Sequence, residues 1–372
     1  MKIGINARFL TQPYTGTGQY TRLLLSALAR LDSANEYFLF TPELVEWNLP
    51  DHFHQLRILE KPSYSLSLQK AHWEHVLVPQ EMKKWKIDLA HFLYPSNPWA
   101  RLPFPTIVTV HDVIPWIFPA YRTRWRSKLY QFYARHALKK ADHVITPSHF
   151  SKKEIVSTLK VKEKNITVIP HGVPPAFPTL GPTVPLRRPF LLYVGGYDER
   201  KNVPRLIQAF LKYLAHETAF DLILVGGKKK GLESLITDEY APRVSATIPV
   251  QPKGHIIFTD QLDARELDIL YHQATLLVHP SLYEGFNLPV LEAMAAGLPV
   301  AAADIPVNRE VTGEHAVFFD PLSIDSIGQT LRSLLANAPF QKILAQDARE
   351  KAREYRWEKS AEETLNVYNL FI

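Results

Sequence analysis

The chain contains no cysteine among its 372 residues, which excludes disulfides, thiolate metal sites and a cysteine nucleophile. It also lacks a long uninterrupted apolar run. Its most apolar stretch, LPVLEAMAAGLPVAAA, carries Glu292, Gly297 and Pro299 and does not read as a membrane span. The N-terminal MKIGINARFL passes into a strand-like run without an apolar signal region, so a cytoplasmic protein is expected. Nor is there a large excess of one charge: 43 Lys+Arg against 37 Asp+Glu gives +6, which requires no polyanionic partner, and no nucleic-acid partner is expected. Apolar residues, by contrast, are plentiful. A 46% hydrophobic and 22% charged composition is that of a globular chain, and the length exceeds what one core organises, so two domains are expected.

Short β-type runs alternate with amphipathic helical segments. In the first half the strands are expected at Lys2–Asn6, Tyr37–Thr41, Leu56–Glu60, Asp88–Leu93, Thr106–His111, His143–Thr146 and Thr167–Pro170. Between the first two, Tyr20, Leu23, Leu24, Ala27, Leu28 and Leu31 form one apolar stripe of a helix over Gln19–Leu31. Residues 173–189, VPPAFPTLGPTVPLRRP, are proline-rich and aperiodic, as in a stiff linker. The alternation then resumes with Phe190–Val194, Leu222–Val225, His255–Phe258, Leu276–His279, Pro299–Ala303 and Val317–Asp320. The reading is α/β: two tandem Rossmann-like domains, 1–172 and 190–354, facing a cleft, with strand C-terminal ends supplying the ligand site.

Within the second domain, SLYEGFNLPVLEAMAAG (281–297) places two acids around a helix start. Pro289 suits a first helical position and Gly297 the residue past the end, which predicts a helix over Pro289–Ala296. The backbone N–H groups of Phe286, Asn287 and Leu288 would then face outward at the positive end of the dipole, a phosphate site. Beside a phosphate, Glu284 is better suited to sugar hydroxyls, and Glu292 could reach a ribose diol. Either glutamate alone is better explained as a dipole-favoured or solvated acid; the string as a whole is not. In YVGGYDERKN (193–202), Gly195 and Gly196 end a strand and the basic pair Arg200-Lys201 follows, an arrangement that admits a diphosphate to the backbone and neutralises it.

The string SLYEGFNLPVLEAMAAGLPV resembles the E-x7-E signature of the retaining nucleotide-sugar glycosyltransferases of family four, which have the two-domain GT-B architecture. The spacing Glu284–Glu292, Gly285-Phe286, Pro289 and the Ala-x-Gly-x-Pro tail ending at Pro299 carry the resemblance. It implies that Glu284 and the amides of Gly285, Phe286, Asn287 and Leu288 hold the donor sugar and phosphates, and that Glu292 holds the ribose. It also implies that Arg200 and Lys201 stabilise the leaving nucleoside diphosphate, although Gly196 stands where many relatives have arginine. His111, in TVHDVIP, would contact the donor sugar near the reacting carbon; a structural histidine is the bland alternative. In TGTGQY (15–20), Thr21 replaces the last glycine of a dinucleotide fingerprint. The resemblance instead makes this a loop over the cleft, with Gly18 and Gly16 near the donor, and makes residues 258–271 the frame of the nucleotide base. The terminal segment 355–372 is expected to be a helix returning to the first domain.

No D-x-D pair beside a strand end and no metal-spaced His/Asp cluster occurs, so no metal or other cofactor is expected beyond the nucleotide sugar itself. The bacterial surface-polysaccharide branch implies GDP-mannose as donor, with UDP-glucose-type and dTDP-rhamnose donors open, and a glycan or lipid-linked glycan as acceptor. Two other readings are a glycoside hydrolase using Glu284 and Glu292, and a non-catalytic bilobal binding protein. In residues 121–141, Trp125, Leu129, Phe132 and Tyr133 share a helical face, with Arg124, Lys128, Arg135 and Lys139 elsewhere. That face suits either the core or a peripheral contact with anionic lipid at the inner membrane face.

Overall fold

The structure, a computed structural model, describes residues 1–60, 66–118, 125–174, 189–216, 219–226, 255–259 and 262–372. Residues 175–188 of the proline-rich stretch and residues 260–261 of the expected base-framing segment lie outside these. The chain divides into two compact units, Met1–Gly172 with Tyr355–Ile372, and Val173–Glu354.

In the first unit, β1 (Lys2–Asn6), β2 (Glu36–Thr41), β3 (Phe53–Arg57), β4 (Leu89–Phe92), β5 (Thr106–Thr109), β6 (His143–Thr146) and β7 (Ile166–Val168) form one parallel sheet. The strand order is β3-β2-β1-β4-β5-β6-β7. In the second unit, β8 (Phe190–Val194), β9 (Asp221–Val225), β10 (Ile256–Thr259), β11 (Leu276–His279), β12 (Val300–Ala303) and β13 (Val317–Phe319) run β10-β9-β8-β11-β12-β13. Both are doubly wound, with the order reversing between β1 and β4 and between β8 and β11, where such sheets open a crevice for ligands. Strands β4, β5, β6, β8, β11 and β12 are buried at every position, as expected of parallel strands covered on both faces.

Two local expectations need correction, and one left open is decided in part. Strand β3 begins at Phe53, not Leu56: Phe53 pairs with Tyr37 in the ladder, and their rings stack at 4.3 Å, which fixes the register. Helix α1 spans Gly16–Leu31, so residues 15–20 are not a loop but a cap and first turns. Thr15 is the N-cap, and its hydroxyl accepts from the Gly18 amide at 3.1 Å. Of the face left open between core and lipid, Phe132 and Tyr133 stay outside the core, and residues 121–124 of that segment lie outside the described residues. In α2 (Trp125–Leu138) the core side is Gln131, Ala134, Ala137 and Leu138, while Phe132 is 65% exposed and Tyr133 stacks on Trp99 at 4.7 Å.

The C-terminal helix α3 (Trp357–Tyr368) belongs to the first unit and shares its core with α1: Trp357, Ala361, Val367 and Tyr368 join Tyr20, Leu24 and Leu28. At Gly172 a Cβ would stand 2.2 Å from the Trp357 amide nitrogen, so glycine permits the chain's return there. Tyr368 also reaches His91, whose Nδ1 lies 2.7 Å from the tyrosine hydroxyl and whose Nε2 lies 2.9 Å from the Thr109 hydroxyl. Burial pushes His91 down to about 3 and His111 to about 4, so both rings are neutral in the folded unit. Unfolded, each takes up a proton below about 6.5, so each costs about 1.4 kcal/mol of stability per pH unit as pH falls from there toward the folded pKa. The melting temperature should therefore drop steeply between pH 7 and 5 in a thermal melt series; a flat profile would contradict neutral burial of these rings.

Candidate active site

The second unit gathers its polar residues where β8 and β11 meet. After β8, the Tyr193 hydroxyl donates to the Gly196 carbonyl at 2.6 Å, and a Cβ at Gly226 would meet the Gly195 oxygen at 2.1 Å, so the Gly195-Gly196 turn is closely packed. A single 3-10 turn, Glu199–Lys201, follows and ends at Asn202, which is left-handed at φ 57°. The Asn202 side-chain nitrogen, Nδ2, donates to the carbonyls of Pro280 and Pro321, and the Leu282 backbone amide donates to the Arg200 carbonyl at 2.8 Å. These bonds lock the basic turn to the loop after β11.

That loop brings Glu284 onto both cations. Arg200 donates through Nη1 to Glu284 Oε2 at 2.7 Å and to the Tyr283 carbonyl at 2.9 Å; Lys201 donates to Glu284 Oε1 at 2.6 Å. Asp198 lies 3.4 Å from Arg200 Nε. Lys201 and Glu284 are only 9% and 7% exposed. Burial alone would raise the Glu284 carboxyl, but Lys201 and Arg200 overcome it and hold the pKa at about 2. Arg200 and Lys201 are therefore not solvated cations awaiting a phosphate; they share one buried carboxylate.

Helix α4 (Leu288–Ala296) begins one residue before Pro289 and ends at Gly297, left-handed at φ 73°. Its N-cap, Asn287, is also left-handed, at φ 79°. The Asn287 side chain donates to His279 Nδ1 at 3.1 Å and to Asn308 Oδ1 at 2.7 Å. The first-turn amides, including that of Leu288, have no partner within the helix by its geometry, and Gly285 and Phe286 precede them in the loop. Glu292, in the second turn, accepts from the Tyr271 hydroxyl at 2.7 Å, leaving its other oxygen outside that bond. Desolvation raises the Glu292 carboxyl against the lowering effect of this bond.

The structure thus joins Arg200, Lys201 and Glu284 in one cluster and places Gly195, Gly196, Asn287, Leu288 and Glu292 on the elements that meet there. His111, Gly16 and Gly18 lie in the first unit. His111 falls two residues beyond β5, its ring edge-on to Tyr20 at 4.6 Å, and its Nε2 lies 3.0 Å from the Leu93 carbonyl. A carbonyl only accepts, so Nε2 carries the proton and the neutral ring keeps an acceptor at Nδ1. Gly18 has a packing reason of its own, since a Cβ there would stand 2.0 Å from the Gln12 carbonyl oxygen; at Gly16 a Cβ would meet nothing within 4 Å. Residues the sequence reading passed over are His279, Tyr271 and Asn308. Of these only His279 had a local signal, as the polar residue ending the apolar run LLVH.

Comparison with known proteins settles the class. The profile described as glycosyl transferases group 1 matches residues 182–354, and that described as Glycosyltransferase Family 4 matches residues 14–177. The chain belongs to the family-four glycosyltransferases. This glycosyltransferase is 25% identical over 394 aligned residues to O-antigen chain mannosyltransferase B of Escherichia coli, with 100% of both chains covered. It is 31% identical over 216 residues to O-antigen chain mannosyltransferase RfbU of Salmonella typhimurium, covering 58% of this chain and 56% of that one. Among solved structures, sucrose-phosphate synthase from Thermosynechococcus elongatus superposes with a TM-score of 0.78 at 22% identity, covering 100% of this chain and 98% of that one. The likeness shows the shared GT-B fold.

Proposed function

We propose that this glycosyltransferase moves mannose from GDP-mannose to a hydroxyl of a glycan or lipid-linked glycan, with retention at the anomeric carbon and without a metal. The observation that carries the reading is the buried Arg200–Glu284–Lys201 cluster beside the start of α4. It supplies cations for a departing diphosphate and a permanently ionised acceptor for sugar hydroxyls. Mannose is supported by the names of the two O-antigen mannosyltransferase relatives; GDP is taken from the resemblance to the surface-polysaccharide branch.

In this mechanism the acceptor oxygen bonds to the anomeric carbon on the face from which the phosphate leaves. The C–O bond to the diphosphate breaks, and the departing phosphate oxygen takes the acceptor's proton. Arg200, Lys201 and the amides from Gly285 to Leu288 stabilise the charge that develops on the diphosphate. Glu284 holds sugar hydroxyls, Glu292 the ribose, and Gly195-Gly196 admits the phosphates to the backbone. By the family resemblance, His111 contacts the donor sugar, for which Nδ1 is its acceptor, and Gly16 and Gly18 are donor-side residues. A hydrolase built on Glu284 and Glu292 is disfavoured, because both Glu284 oxygens already accept from cations.

The test is a thermal-shift screen with GDP, UDP, dTDP and ADP. GDP at a hundredfold excess over its Kd should stabilise the protein by about 2.7 kcal/mol, the others less. No stabilisation by any nucleotide would overturn the reading.

Among the described residues no helix is long and apolar enough to cross a membrane. Peripheral contact with the inner membrane face through residues 121–141 is the accompanying proposal. It is supported by the exposed Phe132 and Tyr133 with Lys128, Lys139 and Lys140 exposed nearby. Co-sedimentation with anionic but not neutral vesicles, weakened in Phe132→Ser, is the expected outcome; equal binding to both would contradict it.

A further inference from the structure

Glu284 and its two cations face a conflict when the donor arrives. On the function proposed above, Arg200 and Lys201 must turn toward the departing diphosphate, yet both are bonded to the carboxylate that must stay with the sugar. What holds Glu284 after the cations turn is not evident from those three residues.

A chain of buried hydrogen bonds leads to the answer. The Ala303 carbonyl only accepts, so Asn308 Nδ2 must donate to it, at 2.8 Å, and Asn308 Oδ1 must face Asn287 as an acceptor. Asn287 Nδ2 therefore spends one hydrogen on Asn308 and the other on His279 Nδ1. Since Nδ1 accepts, the neutral ring carries its proton on Nε2. That Nε2 lies 4.0 Å from Glu284 Oε1 and has no hydrogen-bond partner among the described residues. His279 is fully buried; burial first, and the Lys201 charge after it, lower its pKa to about 3. The ring is thus a neutral donor that a diphosphate has no charge to attract. Asparagine at the left-handed position 287 adds a side chain where glycine would give the same backbone at lower cost, and that side chain is the middle link.

We propose that His279 is a positioning residue: its Nε2–H closes onto Glu284 and keeps the carboxylate on the sugar while Arg200 and Lys201 shift to the leaving diphosphate. The proposal rests on the transferase reading of this site. Its test compares His279→Phe, His279→Gln and Asn287→Gly on whichever of GDP-mannose, UDP-glucose and dTDP-rhamnose the wild-type protein turns over. Binding of the matching nucleoside diphosphate is followed by calorimetry. Loss of one hydrogen bond to a charged group should lower kcat roughly thirtyfold in His279→Phe, with the diphosphate Kd unchanged. Glutamine, which restores an N–H at the place of Nε2, should recover kcat to within about fivefold of wild type. Asn287→Gly keeps the backbone but frees the ring, and should lower kcat roughly fivefold.

Wild-type kcat in His279→Phe would overturn the proposal. So would a glutamine variant as impaired as the phenylalanine one, since that pattern marks packing alone. Failure of the transferase reading looks different: the wild-type protein would then turn over none of the three donors, or Lys201→Ala would be as active as wild type.

Discussion

Replacing Lys201 by alanine is expected to lower sugar-transfer turnover by roughly a thousandfold, the scale seen when one preorganised stabiliser of a developing anion is removed. Lys201 is only 9% exposed, so its charge acts across protein rather than water. The chain should remain folded, because Arg200 continues to neutralise Glu284 at 2.7 Å and the turn stays tied through Asn202 to Pro280 and Pro321. Turnover and a melting curve measured on the same preparation separate the two effects. Near-normal turnover in a folded Lys201→Ala protein would remove the leaving-group role from this cluster.

The second large effect concerns stability. Trp357→Ala should destabilise the first unit by about 3–5 kcal/mol, the usual cost of truncating a buried tryptophan. Trp357 is 3% exposed, stacks on His171 at 5.7 Å and 15°, and opens the helix that closes the core against α1. The Ser360 hydroxyl, one turn on, donates to the Pro170 carbonyl at 2.6 Å, so the returning segment is anchored by packing and by a hydrogen bond. A drop in the midpoint of urea unfolding checks this. An unchanged midpoint would mean that the C-terminal helix is not part of the unit's cooperative core.

How much of this was legible in the sequence follows from what each feature depends on. Strands such as Phe190–Val194 and Leu276–His279 are short apolar runs bounded by turn residues, and they lie where local pattern places them. Strand β3 does not, because its register is set by a ring stack with Tyr37 on another strand. The turn after β8 and the start of α4 were readable from Gly195-Gly196 and from Pro289. The pairing of those cations with Glu284 was not, since the partners are 83 and 84 residues apart and meet only when β8 and β11 become neighbours. His279 was hidden for the same reason: its proton position is decided at Ala303, through two asparagines on other elements. For the face holding Phe132 and Tyr133 the sequence left core and lipid contact open, because periodicity shows that residues share a face but not what the face meets; Phe132 is 65% exposed.

The central claim is that the Arg200–Lys201–Glu284 cluster takes a nucleotide sugar and releases its diphosphate. The most direct measurement is nucleoside diphosphate release from GDP-mannose, UDP-glucose and dTDP-rhamnose, with a glycan acceptor and excess EDTA. The expected result is release of GDP from GDP-mannose that survives the chelator, forms an α-mannoside, and is lost in Lys201→Ala. Release of no diphosphate from any donor, or glycan cleavage without a nucleotide, would contradict it.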